Sequence, residues 1–403
     1  MRILYTSLAY PPSIGGGEIH LHRLVREMSR RGADVQVICQ WSRSRSDWLR
    51  GSTTEADPPL RYEHDGVPVN RLGFDDATKA RMRPWTSLYR QRPLRGLAIR
   101  RLAGLLAPFY RAAVDARPDL VHILRMGCEH LPQAARQYAE EQGIPWVVTP
   151  LHHPGWDGGK YRHYDRIFRA ADGVIALTES ERETLIRSKG VAAEKVHVTG
   201  IGPILDDNGF AVGSAVNPFA QRGVNAPYVL FLGRKAGYKG WDTLLDAAPA
   251  ILERHPDARI VFAGPDTPES TARFDACDDP RIVNLGEVDL PGKTALLAGC
   301  ALLALPSTAE SFGGVFTEAW ACGRPVVGVG LPSVACVVDH ETDGLLIEPA
   351  AAPLADAVSR LLGDPAAADR MGQAGREKVR SRFSWERLAE RTAEVYEAAS
   401  RSR

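Results

Sequence analysis

The stretch Glu310-Ser311-Phe312-Gly313-Gly314-Val315-Phe316-Thr317-Glu318 follows the apolar run Ala301-Leu302-Leu303-Ala304-Leu305 and the breaker Pro306. The run is short, apolar and closed by a turn signal, which predicts a buried strand of a parallel sheet. Glu310 then falls in the loop at the strand's carboxyl end. Gly313-Gly314 lets backbone amides approach a ligand, and Val315 to Ala321 reads as a helix stopped by Gly323 and Pro325. Exposed amides at the positive end of a helix dipole suit a phosphate. The two carboxylates, Glu310 and Glu318, would repel that phosphate, so they read as acceptors for neutral hydroxyls on either side of it. A diphosphate flanked by two polyols is a sugar nucleotide. Read structurally, the same stretch is an ordinary strand–loop–helix unit with surface acids.

Glu-Ser-Phe-Gly, the second Glu eight residues after the first, and the following Ala319-Trp320-Ala321-Cys322-Gly323-Arg324-Pro325-Val326-Val327 resemble the signature of the retaining glycosyltransferases of family 4. The resemblance implies the GT-B fold, an α/β architecture of two Rossmann-like domains facing each other across a cleft. It also implies that Glu310 and the amides of Ser311, Phe312, Gly313 and Gly314 bind the donor sugar, and that Glu318 binds the ribose hydroxyls.

Upstream, Tyr228 to Gly233 reads as a strand delivering Arg234 and, five residues on, Lys239-Gly240. Two cations at a strand's carboxyl end suit a diphosphate, Arg by forked hydrogen bonds and Lys as a point charge. The family's Gly-Arg…Lys-Gly motif is matched here, which implies that Arg234 and Lys239 neutralise the leaving nucleoside diphosphate. Ile282 to Val288 reads as another strand, whose loop lies where the family holds the nucleobase. The family's usual Gly-Gly…Pro-Glu loop is replaced by Gly330-Leu331-Pro332-Ser333-Val334-Ala335.

At the N-terminal end, Ile3 to Thr6, the loop Tyr10 to Glu18, a helix stopped at Gly32 and Val35 to Cys39 read as strand, glycine loop, helix and strand, the opening of a Rossmann-like unit. The consecutive Gly15, Gly16 and Gly17 lack the alternation of the dinucleotide fingerprint. They resemble the family's Pro-Pro…Gly-Gly…Glu motif, which implies that Gly16 and Gly17 face the donor diphosphate. Pro145 to Pro150 reads as a strand running into His152 and His153, at the edge where ligands bind in such sheets. The family has a His just after this strand, near the bond that breaks. Its usual spacing meets Leu151 here, so the role falls to His152 or His153.

Residues 41–104 are the least regular by pattern. Within them Lys79, Arg81, Arg83, Arg90, Arg92, Arg95, Arg100 and Arg101 occur with no acid between them and with Trp85, Tyr89 and Leu94 interleaved. This reads either as a solvated face or as a basic amphipathic surface, residues 79–101, for peripheral contact with an anionic membrane or a phosphorylated acceptor. No recognition motif for nucleic acid accompanies the charge.

The 403 residues favour two domains. The expected division is an acceptor domain at 1–204, completed by a crossing helix at 383–403, and a donor domain at 205–382. With 50 Lys plus Arg against 49 Asp plus Glu, net charge names no partner. The six cysteines show no metal-ligand spacing and read as reduced thiols. The chain opens directly into a strand and has no apolar run near the ~18 residues a span needs, so a cytoplasmic protein is expected.

The expected reaction is metal-independent transfer of a hexose-type sugar, with retention, from a nucleoside diphosphate donor, a UDP-sugar before a GDP-sugar. The acceptor is a hydroxyl of a saccharide, lipid-linked or natural-product molecule. No cofactor is expected beyond the donor itself, and no metal, since the Asp-x-Asp motif of the other glycosyltransferase fold is absent. The rivals are a GT-B phosphorylase or epimerase and a non-catalytic sugar-nucleotide-binding protein.

Overall fold

The computed structural model describes residues 1–12, 15–40, 47–124, 127–152, 162–206, 219–222, 224 and 227–402. The chain divides into two units, Met1–Gly200 with Trp385–Arg403, and Ile201–Ser384.

The first unit contains strands β1 (Arg2–Ser7), β2 (Asp34–Cys39), β3 (Leu60–His64), β4 (Val67–Arg71), β5 (Leu120–Leu124), β6 (Trp146–Thr149), β7 (Gly173–Ala176) and β8 (Val196–Val198). Its helices are α1 (Gly16–Arg30), α2 (Trp48–Gly51), α3 (Asp76–Leu88), α4 (Arg95–Ala112), α5 (His130–Glu141), α6 (Tyr164–Ala170) and α7 (Glu179–Arg187). The sheet order is β3-β4-β2-β1-β5-β6-β7-β8, parallel except for the edge strand β3. Every residue of β5, β6 and β7 is buried, as strands covered on both faces must be, and their composition is accordingly apolar apart from His122 and Thr149, which bond each other.

The second unit contains β9 (Tyr228–Leu232), β10 (Arg259–Ala263), β11 (Ile282–Gly286), β12 (Leu302–Leu305), β13 (Val326–Val329) and β14 (Gly344–Ile347). Its helices are α8 (Trp241–Arg254), α9 (Pro268–Asp275), α10 (Leu290–Gly299), α11 (Gly314–Ala321), α12 (Pro332–Ala335), α13 (Ala351–Gly363) and α14 (Pro365–Lys378). All six strands are parallel in the order β11-β10-β9-β12-β13-β14. Strand order therefore reverses between β9 and β12. In an open parallel sheet this is the point where the loops after two neighbouring strands part and leave room for a ligand.

The last helix, α15 (Trp385–Arg401), packs on the first unit. Leu388, Ala389, Thr392, Val395, Tyr396 and Ala399 recur at helical spacing and are all buried. The Tyr396 hydroxyl lies 2.7 Å from His122 Nδ1, whose Nε2 lies 2.8 Å from Thr149 Oγ1. It also donates to the Tyr5 hydroxyl at 3.2 Å. Both nitrogens of a fully buried imidazole are thereby satisfied, which a polar group at that depth requires.

Residues 41–104 correct the sequence reading. The described part holds α2, the β3–β4 hairpin, α3 and the start of α4, and the hairpin extends the sheet beyond β2. Asp65 and Gly66, with φ of +49° and +78°, form the two-residue turn between paired His64 and Val67. The basic stretch is also less of a surface than its composition suggests. Tyr89 is buried, and Trp85 packs against the core. Arg95 donates to both carboxylate oxygens of the fully buried Glu129, at 2.8 and 3.0 Å, and its guanidinium sits 4.4 Å from the Tyr89 ring centroid. Arg81, Arg83, Arg90, Arg92, Arg100 and Arg101 remain exposed. Among the described residues no helix is long and apolar enough to cross a membrane.

Candidate functional site

The loops after β9 and β12 meet at the reversal of strand order, and glycine makes the approach close enough. Gly240 has φ +72°, and a Cβ there would stand 2.2 Å from the Pro306 carbonyl oxygen. The turn after Lys239 therefore lies directly against the end of β12. Thr308 N–H donates to the Tyr238 carbonyl at 2.8 Å and Ser307 Oγ to the Lys239 carbonyl at 3.2 Å, which fastens the two loops together.

This fastening brings Lys239 Nζ to 2.6 Å from Glu310 Oε1. Two residues assigned to different parts of a ligand are thus each other's partner. The Glu310 side chain is nearly buried and Lys239 about one-fifth exposed. Ser333 Oγ donates to the Glu310 carbonyl at 2.6 Å, so the segment in which this chain departs from the family pattern still anchors the Glu310 loop. Arg234 is exposed and has no side-chain partner among the described residues. Its neighbour Lys235 turns the other way. Lys235 is fully buried, donates to the Gly264 carbonyl at 2.6 Å and pairs with Asp266 at 3.1 Å; burial lowers its pKa and Asp266 opposes that.

Gly313, with φ +80°, precedes α11, and a Cβ there would meet the Phe316 ring at 2.5 Å. Only glycine fits this entry to the helix. The Gly314 and Val315 amides, the first of α11, have no acceptor among the described residues. Phe312 is buried and packs edge-on against Phe383. Glu318, one turn into α11, is 4 % exposed. Its Oε1 accepts from Lys293 Nζ at 2.8 Å, while Oε2 is buried without a hydrogen-bond partner among the described residues. Burial pushes its carboxyl above the usual range, against the lowering effects of Lys293 and of the Ile204 backbone N–H. Sequence spacing gave no sign of Lys293. It belongs to α10, whose start is set by the Asp289 side chain accepting from Gly292 N–H.

In the first unit Gly16 and Gly17 form the opening of α1, and their amides have no acceptor among the described residues. His152 is buried at the end of β6; His153 lies outside the described residues. Leu151 stands between strand and histidine at φ +51°, a left-handed conformation costing a non-glycine residue about 1–2 kcal/mol. Glu181 holds that turn. Its buried carboxyl accepts from His152 N–H at 2.8 Å and from Leu177 N–H at 2.7 Å, tying the end of β6 to the end of β7. Burial pushes its pKa up to about 7, against the lowering effect of those two amides.

The sign of the Glu181 effect is fixed by that shift. The native state holds its proton more tightly than the unfolded chain, whose carboxyl titrates near 4.5. Stability from this group is therefore full below about 4.5 and declines as pH rises to about 7, by a total on the order of 3 kcal/mol. Melting temperatures of wild type and Glu181→Gln across that window should diverge, with the variant losing this part of the pH dependence. Parallel curves would assign the dependence to other groups.

Two sequence families match the chain. "Glycosyl transferase 4-like domain" covers residues 15–202, including the segment 41–104 that is least regular by pattern, and "Glycosyl transferases group 1" covers residues 226–364. The chain belongs to glycosyltransferase family 4. This glycosyltransferase is 28% identical over 421 residues to the glycogen synthase of Mycobacterium tuberculosis, covering 100% of the chain and 95% of the relative. Its fold is that of the GT-B glycosyltransferases. Sucrose-phosphate synthase from Thermosynechococcus elongatus superposes with a TM-score of 0.73 at 20% identity, over 100% of both chains. Anabaena HepE, solved in complex with UDP and glucose, gives a TM-score of 0.67 at 21% identity over 98% of each.

Proposed function

We propose that this family 4 glycosyltransferase moves a hexose-type sugar from a nucleoside diphosphate donor, a UDP-sugar before a GDP-sugar, to an acceptor hydroxyl, with retention and without a metal. The observation that carries the reading is Glu318. A buried carboxylate with one oxygen held by Lys293 and the other without a well-formed hydrogen bond among the described residues is poor for stability, because a buried acceptor without a donor costs about 1–3 kcal/mol; the Ile204 N–H acts on it only weakly. A ribose hydroxyl is a donor of the right kind to relieve it.

The Lys239–Glu310 pair is the second half of the reading. When a diphosphate arrives, Lys239 exchanges the Glu310 carboxylate for phosphate oxygens, and Arg234 adds a forked contact. Glu310 is then released to accept from the sugar hydroxyls. Cations and helix amides around the diphosphate stabilise the charge that develops as the bond from anomeric carbon to phosphate oxygen breaks. The acceptor oxygen bonds to the anomeric carbon on the same face, and its proton passes to the departing phosphate. No carboxylate is assigned as a covalent nucleophile. His152, whose backbone amide Glu181 holds, or His153 is assigned a role beside the bond that breaks. The glycogen synthase relative and the UDP and glucose bound to HepE support the donor class.

Isothermal titration with UDP, GDP, ADP and their sugar conjugates, with and without EDTA, tests this directly. One nucleotide is expected to bind well, equally in both buffers. Failure of all three to bind would remove the ligand from the Glu310–Glu318 site.

A further inference from the structure

On the α1 side of the first unit, three side chains able to ligate a metal converge from segments far apart in sequence. His22 lies on α1, His64 ends β3, and Asp65 opens the hairpin turn. One ligand atom from each lies within 4.8 Å of the others. His22 Nε2 stands 3.1 Å from Asp65 Oδ2, and the His22 and His64 ring centroids are 4.8 Å apart. We propose that His22, His64 and Asp65 form a binding site for a borderline divalent ion, Zn2+, that fastens helix α1 to the β3–β4 hairpin.

The arrangement meets three requirements of a zinc site. The donor set, two imidazoles and one carboxylate, is one that Zn2+ takes at about 2.0–2.2 Å per ligand. Two ligands at that distance in a tetrahedral arrangement lie roughly 3.3–3.6 Å apart, so the 3.1 Å between His22 Nε2 and Asp65 Oδ2 has to open only slightly. His64 has the larger movement to make, and as a half-buried residue at the end of an edge strand it has the freedom to do so.

The support around the ligands is also in place. The Tyr10 hydroxyl lies 2.8 Å from His22 Nδ1. With Zn2+ on Nε2, Nδ1 carries the ring proton and donates it to Tyr10, the outer hydrogen bond that fixes a ligating histidine. Asp65 is held by its two-residue turn, so it is placed before any ion arrives. Arg26 Nη1, 3.6 Å from Asp65 Oδ2, is the cation that the ion would displace; its side chain is about one-quarter exposed and long enough to reach solvent. Asp65 is half-exposed, which leaves a fourth coordination position open to water. The separation of His22 from His64 and Asp65 along the chain explains why no metal-binding spacing is visible in the sequence. The proposal concerns an ion that braces the fold, and the metal independence assigned to sugar transfer is unaffected.

The test is titration of chelator-stripped protein with Zn2+ alone, by calorimetry and thermal shift, for wild type, His64→Ala and Asp65→Asn. Wild type is expected to bind one Zn2+ and to melt at a higher temperature with it. Each variant should bind at least tenfold more weakly and lose the thermal shift. Asn tolerates the left-handed backbone at position 65, so that variant keeps the hairpin. Wild-type protein that takes up no Zn2+ overturns the proposal whatever the variants do. Uptake that both variants retain unchanged overturns it equally, because the ion would then sit elsewhere.

Discussion

Lys239→Ala should lower kcat by about 10²–10³-fold while changing KM for the donor far less. The reasoning starts from what the lysine faces at each stage. In the structure it pairs with Glu310 at 2.6 Å. With donor bound it is assigned to the diphosphate, where negative charge grows most as the glycosidic bond breaks. An interaction that strengthens in the transition state shows in kcat, and one equal in ground and transition states shows only in KM. Loss of one such preorganised charge or donor typically costs a factor of this size. The variant also leaves the nearly buried Glu310 carboxylate without its cation, so a lowered melting temperature should accompany the kinetic loss. Glu310→Gln with Lys239→Ala should recover part of that stability and none of the rate. A raised KM with unchanged kcat in Lys239→Ala would reduce the lysine to a ground-state contact.

Glu318→Ala should weaken nucleoside diphosphate binding by about 10²–10⁴-fold. Hydrogen bonds to a charged group contribute about 1.5–3 kcal/mol each, and two ribose hydroxyls are assigned to this carboxylate. The variant also removes the partner of Lys293, leaving that cation to be resolvated. Because ribose is common to the nucleotide and the sugar nucleotide, UDP and UDP-sugar should lose affinity by the same factor. Glu310→Ala should behave differently, weakening the sugar nucleotide relative to the free nucleotide, which should bind no worse because Lys239 no longer has to leave the carboxylate. Calorimetric titration of both variants with both ligands separates the two roles. Equal losses in Glu310→Ala for both ligands, or none in Glu318→Ala, would show that the carboxylates had been assigned to the wrong halves of the donor.

Much of the second unit was legible from one dimension. The run before Pro306 became β12, the expected helix from Val315 begins one residue earlier as α11, and the spacing of Arg234 and Lys239 put them in one loop. These are local readings, because periodicity and turn residues act over a few positions. The hairpin of residues 60–71 was equally local, since Asp65-Gly66 between two short β-prone runs is a two-residue turn signal. The basic residues that follow it carry no comparable local signal, as Arg95 shows. Composition counts an arginine as surface, whereas a buried Glu129 thirty-four residues away makes it part of the interior.

By itself, then, the sequence determined the strand–loop–helix units, the glycine positions where backbone must approach backbone, and the acid and basic residues at strand ends. Only the tertiary structure decided which of these residues meet. Lys239 with Glu310, Lys293 with Glu318, Glu181 with the His152 amide, and His22 with Asp65 are pairs 71, 25, 29 and 43 residues apart. No periodicity spans such distances. Each pair depends on which strands become neighbours, and in a doubly wound sheet that order is set by how crossover helices pack on both faces, a property of the whole core.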